Sequence, residues 1–124
     1  MIKRIEDKLG FLLPVSLEQF AFIPKRLFLV GNVPEGTTRG EHAHKSCHQI
    51  LICVSGKILC ETVNLNGSGE SKLLDHENNL CYIPPMTWGK QTYLSGNSML
   101  LVLTSHEYDE DDYIRDFEVF LVDN

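Results

Sequence analysis

Five short apolar runs constrain this chain more than any other feature: RLFLVGNV (residues 26–33), HQILICVSG (48–56), KILCETVNL (57–65), NLCYIPP (79–85) and SMLLVLTS (98–105). Pro34, the region of Gly36, Ser55 with Gly56, Asn66 with Gly67, Pro84 with Pro85, and residues 95–97 punctuate them. Each run is shorter than an ordinary helix and rich in Val, Ile, Leu and aromatic residues, so each predicts a β-strand. Many short strands at near-regular spacing predict an all-β architecture, closed or sandwiched. In the strand that starts near residue 49, Gln49, Leu51 and Cys53 fall on one face and Ile50, Ile52 and Val54 on the other. Two apolar faces are what a strand needs when one lines a barrel and the other is covered from outside.

The tail departs from this rhythm. In HEYDEDDYIRDFEVF, Tyr113, Ile114, Phe117 and Phe120 or Leu121 recur at helical spacing, and residues 109–112 put carboxylates where a helix N-terminus favours negative charge. One short C-terminal helix is expected, with the acidic run as its solvated cap. The run lacks the ligand spacing of a calcium loop.

At 124 residues with 43% apolar content, the chain has the size of one domain, residues 1–124, with enough apolar surface for a core. No segment approaches the roughly 18 to 20 apolar residues of a membrane span, and MIKRIEDKLG carries charges where a leader has its apolar stretch. A soluble cytoplasmic protein is expected. Cys47, Cys53, Cys60 and Cys81 form no CxxC pair and lie mostly inside apolar runs, which suits reduced core thiols. A net charge of -6 without a long basic stripe argues against nucleic acid. It leaves room for a small anionic ligand, because a few cations in a cleft outweigh the global sign.

The stretch TTRGEHAHKSCHQ (residues 37–49) concentrates the chemistry. If residues 40–45 are extended, His42 and His44 project from one face and share one pocket, whereas His48 falls on the other. Imidazoles with ordinary pKa values near 6.5 exchange protons at neutral pH, and a neighbouring cation such as Arg39 would keep one neutral and basic. The spacing Gly36-x5-His42-x1-His44-x4-Gln49-x6-Gly56 resembles the first motif of the cupin superfamily, a jelly-roll or double-stranded β-helix barrel. Metal-binding cupins carry a glutamate where this chain has Gln49 and a third histidine in a later strand, here IPPMTWGKQ (83–91). Two neutral nitrogens and an amide make a weak site for a divalent ion, so no metal is expected.

A narrower resemblance spans nearly the whole chain. RLFLVGNVPEGTTRGEHAHK (26–45) is similar to the VPxGxxRGxHAHK signature of the nucleoside-diphosphate-sugar 3,4-ketoisomerases, and SHEYDEDDYIRDFEVF (105–120) to their SxxYDExDYIRxYxxF ending. The resemblance implies a dTDP-linked 4-keto-6-deoxyglucose as substrate and its 3-keto isomer as product, on a route to amino sugars of surface polysaccharides. It also implies a homodimer and no cofactor. His42 is the candidate for the base that moves the carbon-bound proton, with His44 positioning it or shuttling the oxygen-bound proton. Arg39 would hold the diphosphate or stabilise enolate charge, and Gln49 would bond sugar hydroxyls or be a buried amide satisfied by backbone. Trp88 would stack on thymine, wall the sugar pocket or simply pack, and Lys90 would contact phosphate. Tyr93 reads as core, and Tyr108 and Tyr113 as family features or packing for the terminal helix.

Three stretches depart from that family. Phe28, Leu29 and Gly31 stand in a strand usually richer in tyrosine, residues 7–10 read DKLG where DxRG is usual, and Gly89 replaces a histidine. A non-catalytic nucleotide-sugar-binding cupin and a metal-dependent cupin enzyme are the alternative readings. Stabilisation by thymidine diphosphate without turnover would mark the first, and a stoichiometric metal surviving dialysis the second.

Overall fold

The structure is a computed structural model and describes residues 1–122. Its strands are β1 (Ile5–Asp7), β2 (Gly10–Leu12), β3 (Arg26–Val30), β4 (Thr37–His44), β5 (Gln49–Ser55), β6 (Ile58–Val63), β7 (Gly69–Leu74), β8 (Leu80–Ile83), β9 (Trp88–Tyr93), β10 (Met99–Thr104) and β11 (Tyr113–Ile114), followed by helix α1 (Phe117–Val122). All five apolar runs contain a strand. Two antiparallel sheets face each other, one ordered β3-β10-β5-β8 and the other β11-β4-β9-β6-β7, with the β1-β2 hairpin apart. This is the expected cupin-type jelly roll. No helix among the described residues is long and apolar enough to cross a membrane.

Strand alternation builds three apolar clusters. Between the sheets, Leu51 and Cys53 of β5 meet Ile58 and Cys60 of β6, Tyr93 of β9, and Leu100 and Val102 of β10. On the outer face of the first sheet, Ile50, Ile52 and Leu103 are covered by Ile2 and the N-terminal segment through Leu13, Val15, Phe20 and Phe22. Outside the second sheet, Ala43 and Trp88 are covered by Ile114 and Phe120. The two faces read from residues 49–54 are thus used as expected.

The tail holds the expected short helix but starts it later than residue 113. Tyr113 and Ile114 are not helical; they pair with His44 and Ala43 at the edge of β4, where open ladder groups offer them backbone hydrogen bonds. Helix α1 begins only after Asp116, whose side chain accepts from the Glu118 and Val119 amides at 2.9 and 3.2 Å. The acidic run therefore caps a separate 3₁₀ turn, Glu110–Asp112, in which Asp109 accepts from the Asp111 amide at 3.0 Å.

Candidate active site

The open end of the barrel holds a cavity of about 270 Å³. Its wall follows strand parity: Arg26, Phe28 and Val30 from β3, Gln49 and Leu51 from β5, Gly89, Gln91 and Tyr93 from β9, and Leu100 and Val102 from β10. Arg39, Gly40 and His42 of β4 close one side, and the tail adds Tyr113 and Arg115. Arg115 is paired with Glu110, whereas Arg26 and Arg39 meet no carboxylate in the lining, so the cavity is locally cationic in an acidic protein.

A bulge between Gly40 and His42 aims the histidines inward. Gly40 has φ 92°, and a Cβ on it would come within 2.7 Å of the Gln91 side-chain oxygen, so glycine is required there. Glu41 follows with φ 54°. His42 Nδ1 then lies 3.0 Å from the Gly40 carbonyl. A carbonyl only accepts, so Nδ1 carries the proton and Nε2 keeps the lone pair. Burial is the largest influence on this imidazole, partly opposed by that carbonyl and reinforced by His44 and Arg115, and its pKa falls to about 4. The cation beside it is Arg115 rather than Arg39.

His44 occupies a layer behind. Its ring meets His42 edge-on, with centroids 4.9 Å apart, so the two do share a face. They do not share the cavity, which is a correction: His44 is 6% exposed and lines a small adjoining depression instead. The reason is Asp112, whose Oδ2 accepts from His44 Nδ1 at 3.1 Å. Asp112 also accepts from the Ser46 amide at 2.8 Å and the Cys47 amide at 3.2 Å, fixing the β4–β5 turn. Burial lowers the His44 pKa against the opposing pull of Asp112. Its Nε2 is buried with no hydrogen-bond partner among the described residues. Tyr113 lies over both imidazoles, at 4.9 Å from His42 and 4.2 Å from His44 between ring centroids. The Arg115 guanidinium sits over the Tyr113 ring at 4.2 Å and is held by Glu110 through bonds of 2.6 and 2.8 Å.

The structure brings His42, Arg39 and Gln49 to the cavity and leaves Trp88 and Lys90, like His44, outside it. Trp88 is 7% exposed and packs on Phe117 and Phe120 beyond the second sheet, so neither thymine stacking nor a pocket wall fits; packing is its role. Lys90 shares that outward parity, because Gly89, Gln91 and Tyr93 are the β9 residues that point inward. His48 lies outside, as parity predicts, with Nδ1 2.6 Å from the Tyr82 hydroxyl.

Sequence reasoning missed Arg26, Gln91, Tyr113 and Arg115. The alternation in RLFLV carried Arg26, since it shares a face with Phe28 and Val30. Tyr113 and Arg115 are two apart and share a face only in an extended segment, so the helical reading hid them.

His44, Cys47 and Asp112 are the one group among the described residues with three possible metal donors within 4.8 Å of one another. They suit an ion poorly. The carboxylate already accepts three hydrogen bonds, and the imidazole nitrogen facing it carries a proton.

Comparison with known proteins identifies the family. A family model described as FdtA, WxcM-like, C-terminal matches residues 1–123. The chain is 33% identical over 122 residues to the TDP-4-oxo-6-deoxy-alpha-D-glucose-3,4-oxoisomerase of Aneurinibacillus thermoaerophilus, covering 95% of this chain and 85% of that protein. It is similar to the sugar 3,4-ketoisomerase QdtA of Thermoanaerobacterium thermosaccharolyticum, solved with TDP, at 32% identity and a TM-score of 0.87, covering 98% of this chain and 89% of that one. A 3,4-ketoisomerase from Helicobacter canadensis matches at 30% identity and a TM-score of 0.85, over 98% and 91% of the two chains.

Proposed function

The chain belongs to the FdtA, WxcM-like C-terminal family, and from that premise we propose that it is an isomerase converting TDP-4-keto-6-deoxyglucose to the TDP-linked 3-keto sugar. The observation that carries the reading is a neutral His42, its tautomer set by the Gly40 carbonyl, in a cavity lined by three arginines.

The C4 ketone acidifies the hydrogen on C3. His42 Nε2 removes that proton, the electrons form the C3–C4 double bond of an enediolate, the hydroxyl proton passes from O3 to O4, and the carbon-bound proton returns to C4 as the ketone forms at C3. Negative charge on the sugar oxygens and the diphosphate is met by Arg26, Arg39 and Arg115. Gln49, 8% exposed at the cavity wall, hydrogen-bonds sugar hydroxyls. His44 acts through His42: Asp112 holds its ring, and its edge fixes the plane of the base. Tyr113 lines the cavity against both rings and supplies a phenol for the oxygen-bound proton, in place of the tyrosines missing around Phe28. No step needs a redox cofactor, since hydrogen moves only between neighbouring atoms of the sugar.

The enzyme pairs as a homodimer in the cytoplasm and serves the assembly of surface polysaccharide. Pairing is supported by β3, an edge strand whose outer residues Leu27 and Leu29 are 63% and 60% exposed. The test is direct. Protein incubated with TDP-4-keto-6-deoxyglucose should yield the 3-keto isomer by proton NMR, and His42→Asn should yield none beyond the spontaneous rate. Thermal stabilisation by TDP with no isomer formed would reduce the protein to a binding module and overturn the assignment.

A further inference from the structure

Beside the wall of the arginine-lined cavity, where Cys60 is the cross-strand neighbour of Gln91 and Cys81 that of Leu51, two thiols meet across the gap between the sheets. Cys60 of β6 and Cys81 of β8 belong to opposite sheets, and their sulfurs are 3.4 Å apart. Cys60 is 1% exposed, whereas Cys81 is half-buried, and both line a surface cleft with Thr62, Glu70, Lys72 and Tyr82. Lys72 stands directly opposite Cys60 in the β6–β7 ladder, and its ammonium reaches across to donate to the Leu80 carbonyl, one residue from Cys81. We propose that Cys81 and Cys60 form a peroxide-oxidisable dithiol site, with Cys81 as the sulfur attacked first and Cys60 as the thiol that resolves it into a disulfide joining the two sheets.

The roles follow from placement. Cys81 is the more exposed of the two cleft-lining cysteines, with the Lys72 cation at hand, and is therefore the one a small oxidant such as hydrogen peroxide meets first. The Cys60 thiol lies in contact behind it. The hydrogen bond from Cys60, aided by the Lys72 charge, lowers the Cys81 pKa, while the same contact and burial raise that of Cys60. Cys53 lacks such a setting, since burial pushes its thiol up to about 11, away from the reactive thiolate.

The chemistry closes on itself. The Cys81 thiolate attacks one peroxide oxygen, the O–O bond breaks, and hydroxide leaves Cys81 as the sulfenic acid. The Cys60 thiol then attacks that sulfur, the S–S bond forms, and water departs with the Cys60 proton. Sulfur loses two electrons and peroxide gains them. Joining the sulfurs requires them to close from 3.4 Å to roughly 2 Å. The link restricts the unfolded chain, so it should raise the melting temperature. None of this depends on the isomerase assignment.

The test uses the full chain, reduced and then titrated with hydrogen peroxide. The expected product has an intact mass lower by two hydrogens, a Cys60–Cys81 linked peptide, a melting temperature raised by several degrees, and complete reversal by dithiothreitol. It should form before Cys47 or Cys53 gains any adduct. In Cys60→Ala, dimedone should trap a sulfenic acid at Cys81, and in Cys81→Ser no dimedone adduct should form at Cys60 at the same dose. Because Cys60 is in the core, circular dichroism of each variant accompanies the labelling, and the linked peptide in the unsubstituted protein stands whether or not they fold. Oxidation of all four cysteines at one rate, or a missing Cys60–Cys81 peptide in the folded protein, would overturn the proposal.

Discussion

If His42 is the base, the acid limb of the isomerase should lie far below that of an ordinary histidine enzyme. Burial holds its pKa down to about 4 from the usual 6.5. At pH 5, about nine-tenths of His42 would then be unprotonated, against about 3% for an imidazole at its ordinary value, a difference of roughly thirtyfold in active base. The same shift bears on stability. The unfolded chain binds the proton more readily than the folded one, so the stabilisation is complete above pH 6.5 and is lost as the pH falls toward 4. By pH 5 the loss amounts to about 2 kcal/mol from this group, so folding must be checked by circular dichroism at every pH used. The assay is kcat/KM for isomerisation between pH 4.5 and 8, because that parameter reports the free enzyme. A profile level from pH 8 to near 5 is expected. A midpoint close to 6.5 in protein that remains folded would refute the argument that burial keeps His42 neutral.

Asp112→Asn should lower kcat about 10- to 100-fold with little change in KM, since it removes the carboxylate that orients His44. It should also cost about 1–3 kcal/mol in urea denaturation, because the Ser46 and Cys47 amides lose a charged acceptor. Trp88→Ala should cost about 3–5 kcal/mol of stability by emptying the site between β9 and α1, and folded Trp88→Ala should keep its KM. Lys90→Ala should leave KM unchanged, whereas Arg39→Ala should raise it about tenfold or more; equal effects in a steady-state assay would reverse the assignment of β9 faces.

The strands were legible because each apolar run is short and rich in residues that fit a pleated sheet, and because the alternation at residues 49–54 is regular. The histidine pair was legible for the same reason: one intervening residue places both rings on one face. What the local pattern could not convey was depth. His42 and His44 look equivalent along the strand, and only the remote Asp112 turns one toward the turn and leaves the other at the cavity. Trp88 stays open between pocket and packing, and Lys90 falls to the wrong face, because WGKQTY is polar or mixed on both faces and its parity has no apolar reference. β7, with the polar sequence GESKLL, is a strand only because β6 is beside it, which is tertiary context overriding composition. In the tail, Tyr113 and Ile114 fit a helix and a strand equally well by spacing, and the open edge of β4 decided between them.

The central claim, that one neutral imidazole carries hydrogen between adjacent carbons of a keto sugar, is tested most directly by isomerisation in deuterium oxide followed by NMR of the sugar ring. Deuterium should enter at C3 of the recovered substrate or C4 of the product. His42→Asn should abolish that incorporation while TDP still raises the melting temperature of the protein. Incorporation at an undiminished rate in His42→Asn would contradict the account.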